Sequence, residues 1–206
     1  MNTLKYKSFQ IQDNFSIYRG SHTFQMGLSY EKYHSLNIFY PSSQSIYSYR
    51  SLADFYTDAN AFLAGTASPV VVPRFNVRYI NQQGLTQPVQ PLDVQYLGLY
   101  GQDQWKLRDN FTLTYGLRME VPFFGNTGFN NSLVDALNFS DGKGGTLKLS
   151  TSKLPNANIL WSPRVGFNWN PLKSQKLQIR GGSGMFTARP PYVWISNQIG
   201  NNGVLT

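Results

Sequence analysis

Four charged side chains are set apart by type and spacing: Arg118, Glu120, Arg164 and Arg180. Each falls on the polar side of an alternating stretch, so all four can share one face of a sheet. Such a row could hold a partner or guide an anion, or its members could neutralise one another across neighbouring strands. A second group runs from Arg189 through Pro190, Pro191, Tyr192 and Val193 to Trp194. Held out in a loop, Arg189, Tyr192 and Trp194 would suit ligand capture. Folded back over a strand end, they would serve packing instead. His22 and His34 are too widely separated to read as a metal pair, and no His-Glu-x-x-His pattern occurs. Asp13, Asp103 and Glu120 have no reason in the sequence to converge, and no nucleophile, base and orienting group can be named together. The runs Gly142–Gly145 and Arg180–Gly184 lack the Gly-Lys-Ser/Thr ending of a phosphate loop. No enzyme activity, no cofactor and no metal are expected.

The elements that carry these residues show a period of two. Phe111, Leu113, Tyr115, Leu117, Met119 and Val121 alternate with Thr112, Thr114, Gly116, Arg118 and Glu120. That run exceeds the roughly five or six residues of a soluble strand. It matches the roughly nine to eleven of a strand that crosses a bilayer at a tilt. Before it, residues 93–107 form a partner strand across the turn Arg108-Asp109-Asn110. Similar hairpins are predicted from strands at 4–18 and 22–40, around Arg19-Gly20-Ser21, and from strands at 158–170 and 177–189, around a turn at 171–176. Asp13 interrupts the apolar face of the first strand. Long connections at 41–92, 125–157 and 190–206 alternate with the short turns. The first should contain a short helix N-capped by Ser51, with Asp54 at the capping-box position, and a short strand near 74–80.

In an antiparallel meander this alternation puts every short turn at one end and every long loop at the other. Short periplasmic turns and long extracellular loops characterise outer-membrane barrels. Trp105, Phe111 and Trp169 flank the short turns, where an interfacial aromatic girdle belongs. Arg118, Glu120, Arg164 and Arg180 then face the lumen. The predicted fold class is all-β: an antiparallel transmembrane β-barrel segment of about six long strands, an incomplete barrel. A soluble sandwich also alternates, but its strands are shorter.

Composition agrees. The 206 residues include 13 Tyr, 14 Phe and 4 Trp, a mix that fits pleated surfaces. No cysteine is present, which excludes disulfides and thiolate metal sites. The formal charge of +8 is scattered over turns and loops rather than clustered, so no nucleic-acid partner is expected. No signal-peptide pattern opens the chain, and both ends read as interruptions of a longer one.

Four stretches carry a family resemblance: Tyr96–Trp105 (YLGLYGQDQW), Leu113–Pro122 (LTYGLRMEVP), Ser162–Pro171 (SPRVGFNWNP) and Ile179–Phe186 (IRGGSGMF). In this order and spacing they resemble the barrel of TonB-dependent outer-membrane receptors. The nearest branch is the Oar-like one, which carries a carboxypeptidase-regulatory-like domain. The resemblance implies residence in the bacterial outer membrane, in contact with its lipid. It implies a larger barrel around a plug domain of the same parent chain, coupled to the TonB complex through an N-terminal region absent here. Import of a large extracellular solute is the implied role. Surface adhesion or protein export by an Oar-like barrel is the alternative, and carbohydrate binding by a soluble β-domain is a third.

Overall fold

The structure, a computed structural model, describes residues 2–173 and 176–206. Six strands form one antiparallel sheet: β1 (Asn2–Arg19), β2 (His22–Phe39), β5 (Val89–Arg108), β6 (Phe111–Phe124), β9 (Leu160–Trp169) and β10 (Ile179–Gly184). Their order in the sheet is their order in the chain, so the sheet is an open meander with β1 and β10 at its edges. The first long connection holds β3 (Ile46–Ser48), α1 (Leu52–Leu63) and β4 (Arg74–Asn76), and β3 pairs with β4. Ser51 caps α1 as expected, its side chain accepting from the Asp54 amide at 3.1 Å. The second long connection holds α2 (Ser132–Asp135), β7 (Phe139–Ser140) and β8 (Thr146–Leu147). The chain ends with α3 (Tyr192–Gly200).

The register fixes the two faces. Directly opposed residues share a side. Arg118 lies opposite Tyr100 and Ser162, while Leu117 lies opposite Gly101 and Pro163. One face therefore collects Gln25, Ser29, Gln102, Gly116 and Arg164. The other collects Phe24, Met26, Leu28, Leu99, Leu117 and Val165, all of them exposed or half-buried. From Phe111 to Val121 the apolar side of β6 spans about 25 Å along the membrane normal at a tilt of ~40°, the height of an outer-membrane apolar band. Trp105, Phe111 and Trp169, the residues expected to form a girdle, all lie on this face beside the short turns. Phe111 is opposite Trp169, and Trp105 is opposite Leu113 one tier above.

The buried cluster among the described residues lies at the long-loop end of the sheet, on its polar side. Leu92, Val94 and Ile199 are buried there, with Tyr33, Phe124, Tyr192 and Ile195 packed around them. The helix α3 thus closes over β2 and β5 from the inner side.

Three differences from the sequence expectation bear on the site. The third strand begins at Val89, so Pro91 lies within a strand. At that height β5 has lost β6 as a neighbour, because their pairing starts at Val94, and proline is tolerated on such an edge. The sixth strand ends at Gly184 instead of running to residue 189. One further bond, Met185 N–H to the Pro163 carbonyl at 2.9 Å, closes the ladder. Beyond it Thr187 and Arg189 turn inward, and Pro190 and Pro191 have no N–H to continue the pairing. The segment 190–206 is correspondingly not an open loop, because nine of its residues form α3. Within the short connection at 171–176, Ser174 and Gln175 lie outside the described residues.

Candidate functional site

The inner face carries a polar cluster where β1, β2, β5, β6 and β9 meet the segment that follows β10. Strand alternation aims Glu31, Tyr96, Arg118, Glu120 and Ser162 inward, and the turn after Gly184 brings Thr187 and Arg189 down onto them. Arg118 Nη2 donates to Glu120 Oε1 at 2.7 Å. Thr187 donates to Glu120 Oε2 at 2.9 Å. Thr187 has a single hydroxyl proton, so Ser162 must be the donor in the 3.1 Å contact between their oxygens. Arg189 pairs with Glu31 through Nη1 and Oε2, and its guanidinium sits 4.0 Å from the centroid of Tyr96. Ser8 on β1 donates to the other Glu31 oxygen at 2.7 Å. Both carboxylates are nearly buried and fully engaged, and a charge in that position is stable only when paired.

Gly98 makes this cluster possible. It faces Glu120 across the β5–β6 ladder. A Cβ there would meet Ser29 Oγ at 2.5 Å and Arg118 Nη2 at 3.4 Å, so any larger residue would crowd the Arg118–Glu120 pair.

Towards the turns the inner face opens. Arg164 donates to Gln102 Oε1 at 2.6 Å, and Gln102 donates to Gln25 Oε1 at 3.1 Å. Arg180 donates to Gln178 Oε1 at 2.6 Å. The described residues include no carboxylate partner for Arg164 or Arg180. A cavity of about 270 Å³ is lined by Arg118, Glu120, Ser162, Arg164, Phe186 and Arg189.

All four charged residues singled out from the sequence share this face. Pairing across neighbouring strands does not account for them, because the one ion pair among them, Arg118–Glu120, lies within β6. The aromatic group divides. Arg189 folds back onto Glu31, and Tyr192 packs on Tyr33 with ring centroids 4.8 Å apart. Burial pushes the Tyr192 phenol above its usual pKa. Trp194, by contrast, is 62% exposed. Arg189, Tyr192 and Trp194 therefore do not form one exposed ligand-capturing set, because packing of α3 takes the first two.

Glu31 and Thr187 of the inner cluster, and the pairing of His22 with Asp103 on the outer face, were missed in the sequence. Glu31 is legible as a polar-side residue of β2, but its partner lies 158 positions away. On the outer face, His22 Nδ1 is 2.7 Å from Asp103 Oδ2, and Tyr115 donates to the same oxygen at 2.9 Å. His22 and Asp103 are separated in sequence but sit on adjacent tiers of β2 and β5. No group of three or more His, Cys, Asp or Glu able to hold a metal occurs among the described residues.

An antiparallel meander with an apolar outer band, a polar inner face and all long loops at one end is the wall of an outer-membrane barrel. The chain belongs to the outer membrane beta barrel domain family, whose model matches residues 2–204. It is thus a protein of the bacterial outer membrane, and its six-stranded open sheet is an incomplete barrel. No curated protein and no solved structure matches the chain.

Proposed function

We propose that this sheet is part of the wall of a TonB-dependent receptor that imports a large solute, with a plug domain of the same parent chain seated against its inner face. The observation that carries the reading is the pair Arg164 and Arg180, cations on the inner face with no carboxylate partner among the described residues. Unneutralised cations facing a lumen suit an acidic plug surface or an anionic solute, whereas facing lipid they would be costly. The motif resemblance at 96–105, 113–122, 162–171 and 179–186 supports the same reading. No catalytic step is assigned to any residue.

Uptake by the complete barrel protein tests it. Cells should accumulate a bound extracellular solute only while the inner membrane is energised, and Arg164→Gln should reduce that uptake. Uptake that ignores energisation would sink the TonB-coupled reading. An unchanged rate in the Arg164→Gln variant would reduce Arg164 to a structural partner of Gln102. An Oar-like adhesion or export barrel is the second reading. Its support is the large exposed loop surface around α1, where Leu52, Phe62 and Leu63 point outward.

A further inference from the structure

The outer face changes character above its apolar band. On β2 the outward residues run Phe24, Met26, Leu28 and Tyr30, and then Lys32 and His34. On β1 they run Ile17, Phe15, Asp13, Ile11 and Phe9, and then Lys7 and Lys5. The register sets Phe9 opposite Lys32, Lys7 opposite His34 and Lys5 opposite Leu36. The three lysines therefore root on two adjacent strands within three successive tiers, with diagonal neighbours about 7–8 Å apart. All three are exposed. None has an ion-pair partner among the described residues. The nearest acid on that face, Asp93, is already engaged by His34 Nδ1 at 2.7 Å. Just below, Tyr30 donates to Gln95 Oε1 at 3.1 Å, a polar contact that marks the upper limit of the band.

The long loops put this end at the cell exterior, so the cluster stands at the headgroup level of the outer leaflet. Three exposed lysines this close together raise the local positive potential, which favours a polyvalent anion between them. We infer that Lys5, Lys7 and Lys32 form a docking site for a phosphate-bearing lipid headgroup of the outer leaflet. The acyl chains of that lipid would lie along Phe9, Ile11, Met26 and Leu28. Apolar rows directly beneath a cationic cluster fit an amphiphile and give a free anion no advantage. This site is on the opposite face from the inner cluster and is independent of the transport reading.

The test uses the complete barrel protein in phosphatidylcholine vesicles containing lipid A, a glycolipid with two phosphates. Lipid retained per protein after a mild detergent wash is counted by native mass spectrometry. Wild type should retain phosphorylated lipid A over its dephosphorylated form and lose it as salt is raised. Lys5→Gln/Lys7→Gln/Lys32→Gln should weaken retention by about fivefold for each lysine removed. The corresponding triple Arg variant should keep it, which separates charge loss from misfolding. Equal retention by the triple Gln variant would overturn the inference, as would equal binding of the dephosphorylated lipid. Displacement by inorganic phosphate at matched concentration would overturn it in favour of a free-anion site.

Discussion

Two polar clusters sit on opposite faces of this sheet and are built in different ways. His22, Asp103 and Tyr115 face outward, at the second and third tiers above the turns. Their strands are immediate neighbours, and His22 and Tyr115 converge on Asp103 Oδ2. Asp103 Oδ1 is buried without a hydrogen-bond partner among the described residues, and the whole residue is only 4% exposed. Glu31, Glu120, Arg118, Thr187 and Arg189 face inward, and the last two come from a segment that has left the sheet. The difference follows from the solvent. In hydrocarbon no water can satisfy a stray donor, so a polar group must find its partner on an adjacent strand. In a wet lumen a charge can be met by a segment distant in sequence, here Thr187 and Arg189.

The largest effect that would break this comparison is a charge placed on each face of β6. Leu117→Arg should destabilise the complete barrel in vesicles by about 2–4 kcal/mol, whereas Thr114→Arg on the inner face should cost about 0.5 kcal/mol or less. Urea unfolding curves report both, and equal costs would mean that the faces are misassigned. Next comes the outer cluster. His22→Leu leaves the buried Asp103 carboxylate with Tyr115 alone, and the same curves should show a loss of about 1–3 kcal/mol. Adding Asp103→Leu should recover most of that loss, since removing both partners restores an apolar surface.

The inner cluster should respond more weakly in global stability and more strongly in local order. Arg189 is 37% exposed at its side chain, so Glu31→Gln should cost about 1 kcal/mol or less. Its signature is faster hydrogen exchange in α3, with β6 unchanged. Unaltered exchange would show that the apolar contacts of Ile195 and Ile199 hold the helix alone. The smallest effect is in the second loop. Backbone amides of Lys143 and Gly145 donate to Asp141 and hold its carboxyl below the usual range. Ionised Asp141 therefore orders the β7–β8 turn above the unfolded value of about 3.9. This order is lost as pH falls through the lower folded value. Protection of the Lys143 and Gly145 amides should follow that titration and vanish in Asp141→Ala.

The strands were legible because one physical demand, lipid on one side and water on the other, writes itself as a period of two. Phe111 to Val121 shows it without a break, and the faces of Arg118, Glu120, Arg164 and Arg180 followed directly. The end of β10 was not legible. Alternation alone cannot say that Thr187 and Arg189 will prefer Glu120 and Glu31 to the edge of β9. Pro91 misled in the opposite direction, because its missing donor matters only where a second neighbour exists. Asp13 and Asp103 looked alike as interruptions of apolar rows. The structure separates them: Asp103 meets His22 and Tyr115, while Asp13 sits on the edge strand β1 opposite Leu28.

The central claim, that alternate residues of one strand meet lipid and water, can be read directly, since these 206 residues contain no cysteine and any cysteine elsewhere in the complete barrel can be replaced by serine. Single cysteines at positions 112 to 119 of β6, introduced into the complete barrel in vesicles, can carry a fluorophore and be exposed to a lipid-confined quencher and a water-soluble one. Positions 113, 115, 117 and 119 should be quenched from the lipid, and positions 112, 114, 116 and 118 from the water. A pattern without a period of two, or with the faces reversed, would contradict the account.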